Sequence, residues 1–182
     1  MSRPIIEPTG KERVLHNSDI IVSKTDRKGI IKYANRTFLD IADYGESDVL
    51  DRPHNVIRHP DMPGCIFQLL WDRIAAGHEI FCYVKNLCAN GDHYWVFAHV
   101  TPSLDADGAV TGYHSTRRAV DRGALDIASD LYAELRAIER AADSPKAGLA
   151  AGQAALEAKL AAAGMDYDRF SFDGLNAGRA AA

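Results

Sequence analysis

The stretch Asn55-Val-Ile-Arg-His-Pro-Asp-Met-Pro63 gathers a cation, an imidazole, a carboxylate and two prolines into a short span. Arg58 offers a planar fork of donors, His59 a switchable donor or acceptor, and Asp61 an acceptor. Pro60 and Pro63 lack backbone donors and keep His59 and Met62 away from helical dihedrals, so the segment is stiff and irregular. Such a set suits a large polar ligand lying against an apolar pocket. A turn whose charges satisfy one another would use the same residues. Covalent chemistry has less support. The chain holds no Gly-x-Gly-x-x-Gly, no Walker loop and no Gly-x-Ser-x-Gly elbow, and an enzyme is not expected.

These residues need elements to hold them. Ile20-Ile-Val22 and Gly29-Ile-Ile-Lys-Tyr33 are apolar runs separated by the turn Asp26-Arg-Lys-Gly29, which predicts a β-hairpin. Asn35 is a candidate N-cap for a short helix carrying Phe38, Leu39 and Ile41, and a second helical turn is expected near Ser47. After the Arg58 stretch, Ile66, Phe67, Leu70, Trp71 and Ile74 recur at helical spacing, and Gly77 closes that helix. Three longer strands follow over 79–88, 93–104 and 109–120, with Asn90-Gly91 as a hairpin turn between the first two. In the middle strand Tyr94, Val96 and Ala98 share one parity, and His93, Trp95, Phe97 and His99 share the other. The expected fold is α+β: a five-stranded antiparallel sheet with short helices on one face, followed by C-terminal helices.

This order, together with Asn35-Arg-Thr-Phe38, His54-Asn55, Arg58-His-Pro-Asp-Met-Pro63, Lys85-Asn86 and Asn90-Gly-Asp-His-Tyr-Trp95, resembles the PAS domain. More narrowly it is similar to the FAD-binding PAS domain of bacterial aerotaxis receptors, over roughly Ser18 to Val120. The resemblance implies an FAD held non-covalently between sheet and helices, its redox state reporting on oxygen or electron transport. It places Arg58, His59 and Asp61 in the region needed for flavin retention, Trp71 on the helix closing over the ring system, and Asn86 on the strand beneath. Asn35, Asn55 and Tyr94, from the same motifs, complete the expected cofactor-binding set. The chemistry agrees: an indole can stack on the isoalloxazine, an amide can match its polar edge, and Arg58 can meet a flavin carbonyl or the pyrophosphate.

Each residue also has a plainer role open to it. Trp71 can be core, Asn86 can cap a bulge, and His93, His99 and His114 read as solvent-facing. Two rival functions are a ligand-free PAS interaction module and a haem-binding gas sensor with His54, His59 or His78 as axial ligand. A thiol–flavin light adduct is disfavoured, because Asn55-Val-Ile-Arg-His stands without cysteine where its motif would fall, and Cys65 comes later.

The chain's 182 residues fit one domain with an appendage: an arm over 1–18, a sensor domain over 19–120, a helical extension over 121–163 and a flexible tail over 164–182. A net charge of -4 without a basic face argues against nucleic acid, and no apolar run is long enough for a bilayer. Cys65, Cys82 and Cys88 lack metal or disulfide spacing and fit a reducing cytoplasm. No HAMP-like or methyl-accepting segment follows, so output by protein contact is expected. Leu125, Ala128, Leu131, Leu135, Ile138 and Ala142 form an apolar seam. Its cover is a twin helix in a homodimer, the stretch bearing Leu149 to Leu160, or the outer face of the sheet; for a sensor the homodimer is favoured.

Overall fold

The structure, a computed structural model, describes residues 6–174. Its chain falls into two compact units: the residues up to Pro60 with Arg73–Ala119, and Asp61–Asp72 with the chain from Val120 on.

The first unit is built on strands β1 (Ile21–Asp26), β2 (Ile31–Ala34), β3 (Ile80–Leu87), β4 (His93–Leu104) and β5 (Val110–Arg118). They form one antiparallel sheet in the order β2-β1-β5-β4-β3. The first turn closes because Asp26 Oδ1 accepts from the N–H groups of Lys28 (2.8 Å) and Ile30 (3.0 Å). Cross-strand partners fix which side chains share a face. Asn86 faces Tyr94, Cys82 faces Ala98, Ala98 faces Arg117, and Arg117 faces Ile21. This inner face also carries Ser23 and Ser115, a directly opposed pair.

Helix α1 (Arg36–Ala42), α2 (Glu46–Val49) and a 3₁₀ turn (His54–Ile57) belong to the same unit. Phe38 of α1 is fully buried, meets His54 edge-on at 6.0 Å, and lies 5.8 Å beneath the Arg117 guanidinium, so α1 and the turn cover the inner face. On the other face Phe81, Phe97, His99 and Tyr83 stack as an aromatic ladder.

The N-terminal arm occupies the notch beside β4 where β5 stops. Thr9 N–H donates to Gly91, His93 N–H to Lys11, and Arg13 N–H to His93. Here glycine is required: at Gly91, where φ is 89°, a Cβ would sit 2.4 Å from the Glu7 carbonyl oxygen.

The second unit contains the first turns of α3 (Gly64–Ala75), then α4 (Arg122–Ala141), α5 (Pro145–Ala162) and α6 (Tyr167–Arg169). Asp121 caps α4 and Ser144 caps α5, with Pro145 in the first turn. The two helices pack as a hairpin. The buried stripe of α4 is Ala124, Leu125, Ala128, Tyr132 and Leu135, with Leu131 and Ile138 only half-buried beside it. Of the three covers open to the seam, α5 is the one this chain provides. Helical turns at Tyr167–Arg169 and Phe170–Gly174 replace the loose tail expected from Gly164, and 175–182 lie outside the described residues. Among the described residues no helix is long and apolar enough to cross a membrane.

Candidate functional site

The centre of the inner face is a buried cation without an acid. Arg117 is 5% exposed, and its Nη2 donates to His54 Nε2 (2.7 Å) and to Ser23 Oγ (3.0 Å). A guanidinium can only donate, so Nε2 of His54 must be a lone-pair acceptor and the imidazole neutral. Burial first, and the Arg117 charge second, push the His54 pKa down to about 3. Burial also lowers that of Arg117, against the stabilising pull of Tyr94 and Cys82. No carboxylate partners Arg117 among the described residues. Buried charges are ordinarily paired, because an isolated one costs several kcal/mol.

Unmet hydrogen-bonding capacity collects on the same face. Arg117 Nη1, Asn86 Nδ2, the Tyr94 hydroxyl and Ser115 Oγ are buried without a hydrogen-bond partner. A native fold leaves few such groups, and four on one face call for an explanation. The same face carries buried apolar side chains, Val84, Val96 and Ala98, and Phe38 lies under Arg117. Such a wall with polar groups converging on one side suits a flat, heteroaromatic ligand whose edge carries acceptors.

The Arg58 stretch reaches this face through β3. Arg58 and Asn86 form an isolated backbone bridge at the sheet's edge. His59 is 2% exposed and packs edge-on against His93 at 5.7 Å. The structure thus brings Arg58, Asn86 and Tyr94 together, whereas His59 meets His93, whose parity is opposite to that of Tyr94. Asn86 is not a bulge cap, since the β3–β4 register runs unbroken through it.

Other expected residues have different surroundings. Asn35 is committed to the fold: its Oδ1 accepts from Phe38 N–H (3.1 Å) and Val22 N–H (3.0 Å), and its Nδ2 donates to Ile20 (2.7 Å). Asn55 is exposed, and its carbonyl accepts the Arg58 N–H within the 3₁₀ turn. Asp61 and Trp71 belong to the second unit. There Asp61 lies 4.0 Å from Arg140, and Trp71 is 38% exposed, which removes the reading of Trp71 as core.

The histidines also separate. His93 is buried rather than solvent-facing, while His99 pairs with Glu79 at 2.7 Å and stacks on Phe81. Of the candidate axial ligands, His54 has its Nε2 occupied by Arg117 and His78 is exposed. No group of histidine, cysteine, aspartate and glutamate is placed to hold a metal among the described residues. Burial pushes Cys65, Cys82 and Cys88 up to about 12, so all three remain thiols. A separate groove of about 390 Å³ beside α1, lined by Arg36, Asp40 and Glu46 among others, contains none of the four unpartnered groups.

Arg117, Ser23 and Ser115 were not singled out by sequence, and His54 was read as a motif residue and a candidate axial ligand rather than as the partner of a buried arginine. The signal available was parity: Tyr113, Ser115 and Arg117 alternate along one strand, with polar residues where a buried face would be apolar.

Comparison with known proteins gives three findings. The PAS fold family matches residues 31–117. The aerotaxis receptor of Escherichia coli K12 is 34% identical over 129 residues, which is 71% of this chain and 25% of that protein. The bacterioopsin transcriptional activator of Halobacterium salinarum is 25% identical over 136 residues, 73% of this chain and 20% of the relative. The chain therefore spans a quarter or less of the length of these relatives. Among solved structures, the light state of the blue-light photoreceptor Aureochrome1 LOV superposes with a TM-score of 0.56 at 19% identity, covering 60% of this chain and 88% of the other. An RNA-binding light-oxygen-voltage receptor gives 0.53 at 18% identity, covering 70% and 35%. At these identities the two structures speak to the fold.

Proposed function

Residues 31–117 form a PAS domain related to that of an aerotaxis receptor, a signal-transduction sensor, and from that premise we propose that the chain binds FAD non-covalently and reports its redox state. The observation that carries this reading is the set of unpartnered polar groups on the inner face, centred on an Arg117 without an acid.

The fit is chemical. The isoalloxazine edge presents carbonyl oxygens and ring nitrogens, and Arg117, Asn86, Tyr94 and Ser115 all have donors to give. Bound there, the flavin supplies electron transfer, and its ring gains protons on reduction. The chain's part is to hold and to read. Arg117 favours electron density on the polar edge of the ring, and Asn86 can answer an acceptor or a donor by rotating its amide. Arg58, whose backbone pairs with that of Asn86, would pass the turn of that amide to the stretch that follows it. The Asn55-Val-Ile-Arg-His59 stretch holds no cysteine to form an adduct, and the role in this reading is signalling.

Transmission to a partner, including a second copy through the exposed Ile127 and half-buried Leu131 and Ile138 of α4, belongs to the same proposal. The test is an absorbance spectrum of the purified chain after incubation with FAD and desalting. A retained flavin spectrum that bleaches with dithionite is expected. A colourless protein would favour the interaction module, and a Soret band a haem sensor.

A further inference from the structure

Helix α3 begins without a cap of its own. Pro63 precedes Gly64, and neither side chain can accept a hydrogen bond. The acceptor comes from α4: Glu139 Oε2 takes the N–H of Gly64 at 2.9 Å, and Oε1 takes that of Cys65 at 2.8 Å. The Glu139 side chain is 6% exposed, with Arg136 Nη1 3.3 Å away. Burial raises its pKa, but the bonds from Gly64 and Cys65 outweigh that and hold the carboxyl below its ordinary value. The charge is well placed, since an anion at a helix N-terminus meets both unsatisfied N–H groups and the helix dipole.

Helix α5 closes over this contact. A Cβ at Gly148 would lie 2.4 Å from the Glu139 carbonyl oxygen; one at Gly152 would lie 3.0 Å from the Glu139 side chain and 3.1 Å from Cys65 Sγ. Only glycine allows that approach at position 148, and at 152 a larger residue would push the Glu139 and Cys65 side chains back. The Cys65 thiol, fully buried, is raised to about 12 by burial and by hydrogen bonding to Glu139, so its accessibility reports whether the contact is closed.

We infer that Glu139 is a positioning residue by which the C-terminal helices hold the first turn of α3 and, with it, the Asp61-Met62-Pro63 end of the retention stretch. This rests on the flavin reading above. Ligand retention and closure of the contact are then reciprocal: flavin tightens the grip of α4 on α3, and loss of that grip loosens flavin. Glutamine tests this well, because its amide nitrogen would point a donor at one of the two N–H groups.

The experiment uses the full chain, with Cys65 labelling by a maleimide followed by peptide mass mapping, and FAD titration by fluorescence quenching. In the wild type, FAD slows labelling of Cys65. In Glu139→Gln, ligand-free labelling is expected to quicken about tenfold, FAD affinity to fall about tenfold, and FAD to lose its effect on labelling. Lys159→Ala, which removes only the exposed pair with Glu134, leaves all three unchanged. A Glu139→Gln protein that binds FAD as tightly as wild type, with labelling still slowed by FAD, overturns the inference. If wild type takes up no FAD, the flavin reading and the coupling fail together, and hydrogen exchange at the Gly64 and Cys65 amides, which the Cys65 pKa does not govern, decides whether Glu139 holds the first turn of α3. Should Glu139→Gln not fold, Glu139→Asp, charged but a methylene short, is read by the same criteria.

Discussion

Two arginines in the first unit are handled in opposite ways. Arg13, in the arm, gives its Nε to Asp92 at 3.2 Å, approaches Asp43 at 3.6 Å, and donates to the Ile41 carbonyl at the end of α1. Asp92 in turn accepts from Thr9 and Asn90. Donors there meet acceptors, and the cluster ties the arm to the hairpin. Arg117 has an imidazole and a hydroxyl, one nitrogen without a partner, and unpartnered groups on neighbouring strands. A charge kept for stability is surrounded by acceptors. One kept for a ligand is left with capacity to spare, at a cost to the fold.

Substitutions should separate these regions. Arg117→Met is expected to lower FAD affinity by about 1.5–3 kcal/mol, roughly tenfold to a hundredfold, without lowering the melting temperature, since it removes a buried unpaired charge. Asp92→Asn should do the reverse, lowering the melting temperature by a few degrees and leaving FAD affinity near wild type. Calorimetric melting beside FAD titration checks both, and matching losses in both variants would erase the distinction. Arg58→Ala should reduce FAD affinity about tenfold with little change in melting, one charged hydrogen bond being lost at a half-buried position.

Acid should divide the regions as well. His54 is neutral in the fold down to about 3, whereas the unfolded chain protonates near the ordinary histidine value. The unfolded state therefore binds more protons in that window, and stability falls as pH drops from about 6.5 towards 3, by at most about 1.4 kcal/mol per pH unit. Hydrogen bonds from Thr9 and Asn90 lower Asp92 to about 2, so its contribution is complete above the ordinary aspartate value and disappears only as pH falls through about 2. Urea midpoints measured from pH 7 to 3 should decline early in wild type and later in His54→Gln. Superimposable curves would place the acid-sensitive group elsewhere.

Local signals made much of the fold legible. Period-two patterns and the Asn90-Gly91 turn gave β4 its full extent and β3 to within a residue at each end, because those strands pair through a short hairpin. Asn35 was readable as a cap from its position before an apolar run, and its bonds to Val22 and Ile20 commit most of its side chain to the fold. What sequence could not supply was register between strands far apart in the chain. Ser23 and Ser115 become neighbours only when β1 pairs with β5, and that pairing also puts Arg117 beside Ser23 and His54. The arm's path along Gly91 and His93 was hidden for the same reason: it depends on where β5 ends.

The most direct measurement follows side-chain ¹⁵N resonances during an FAD titration. Asn86 and Arg117 should shift together as flavin binds, while Asn90 and Arg13, already bonded to Asp92, stay in place. Tight FAD binding that leaves Asn86 and Arg117 unmoved would contradict the assignment of the inner face as the flavin site.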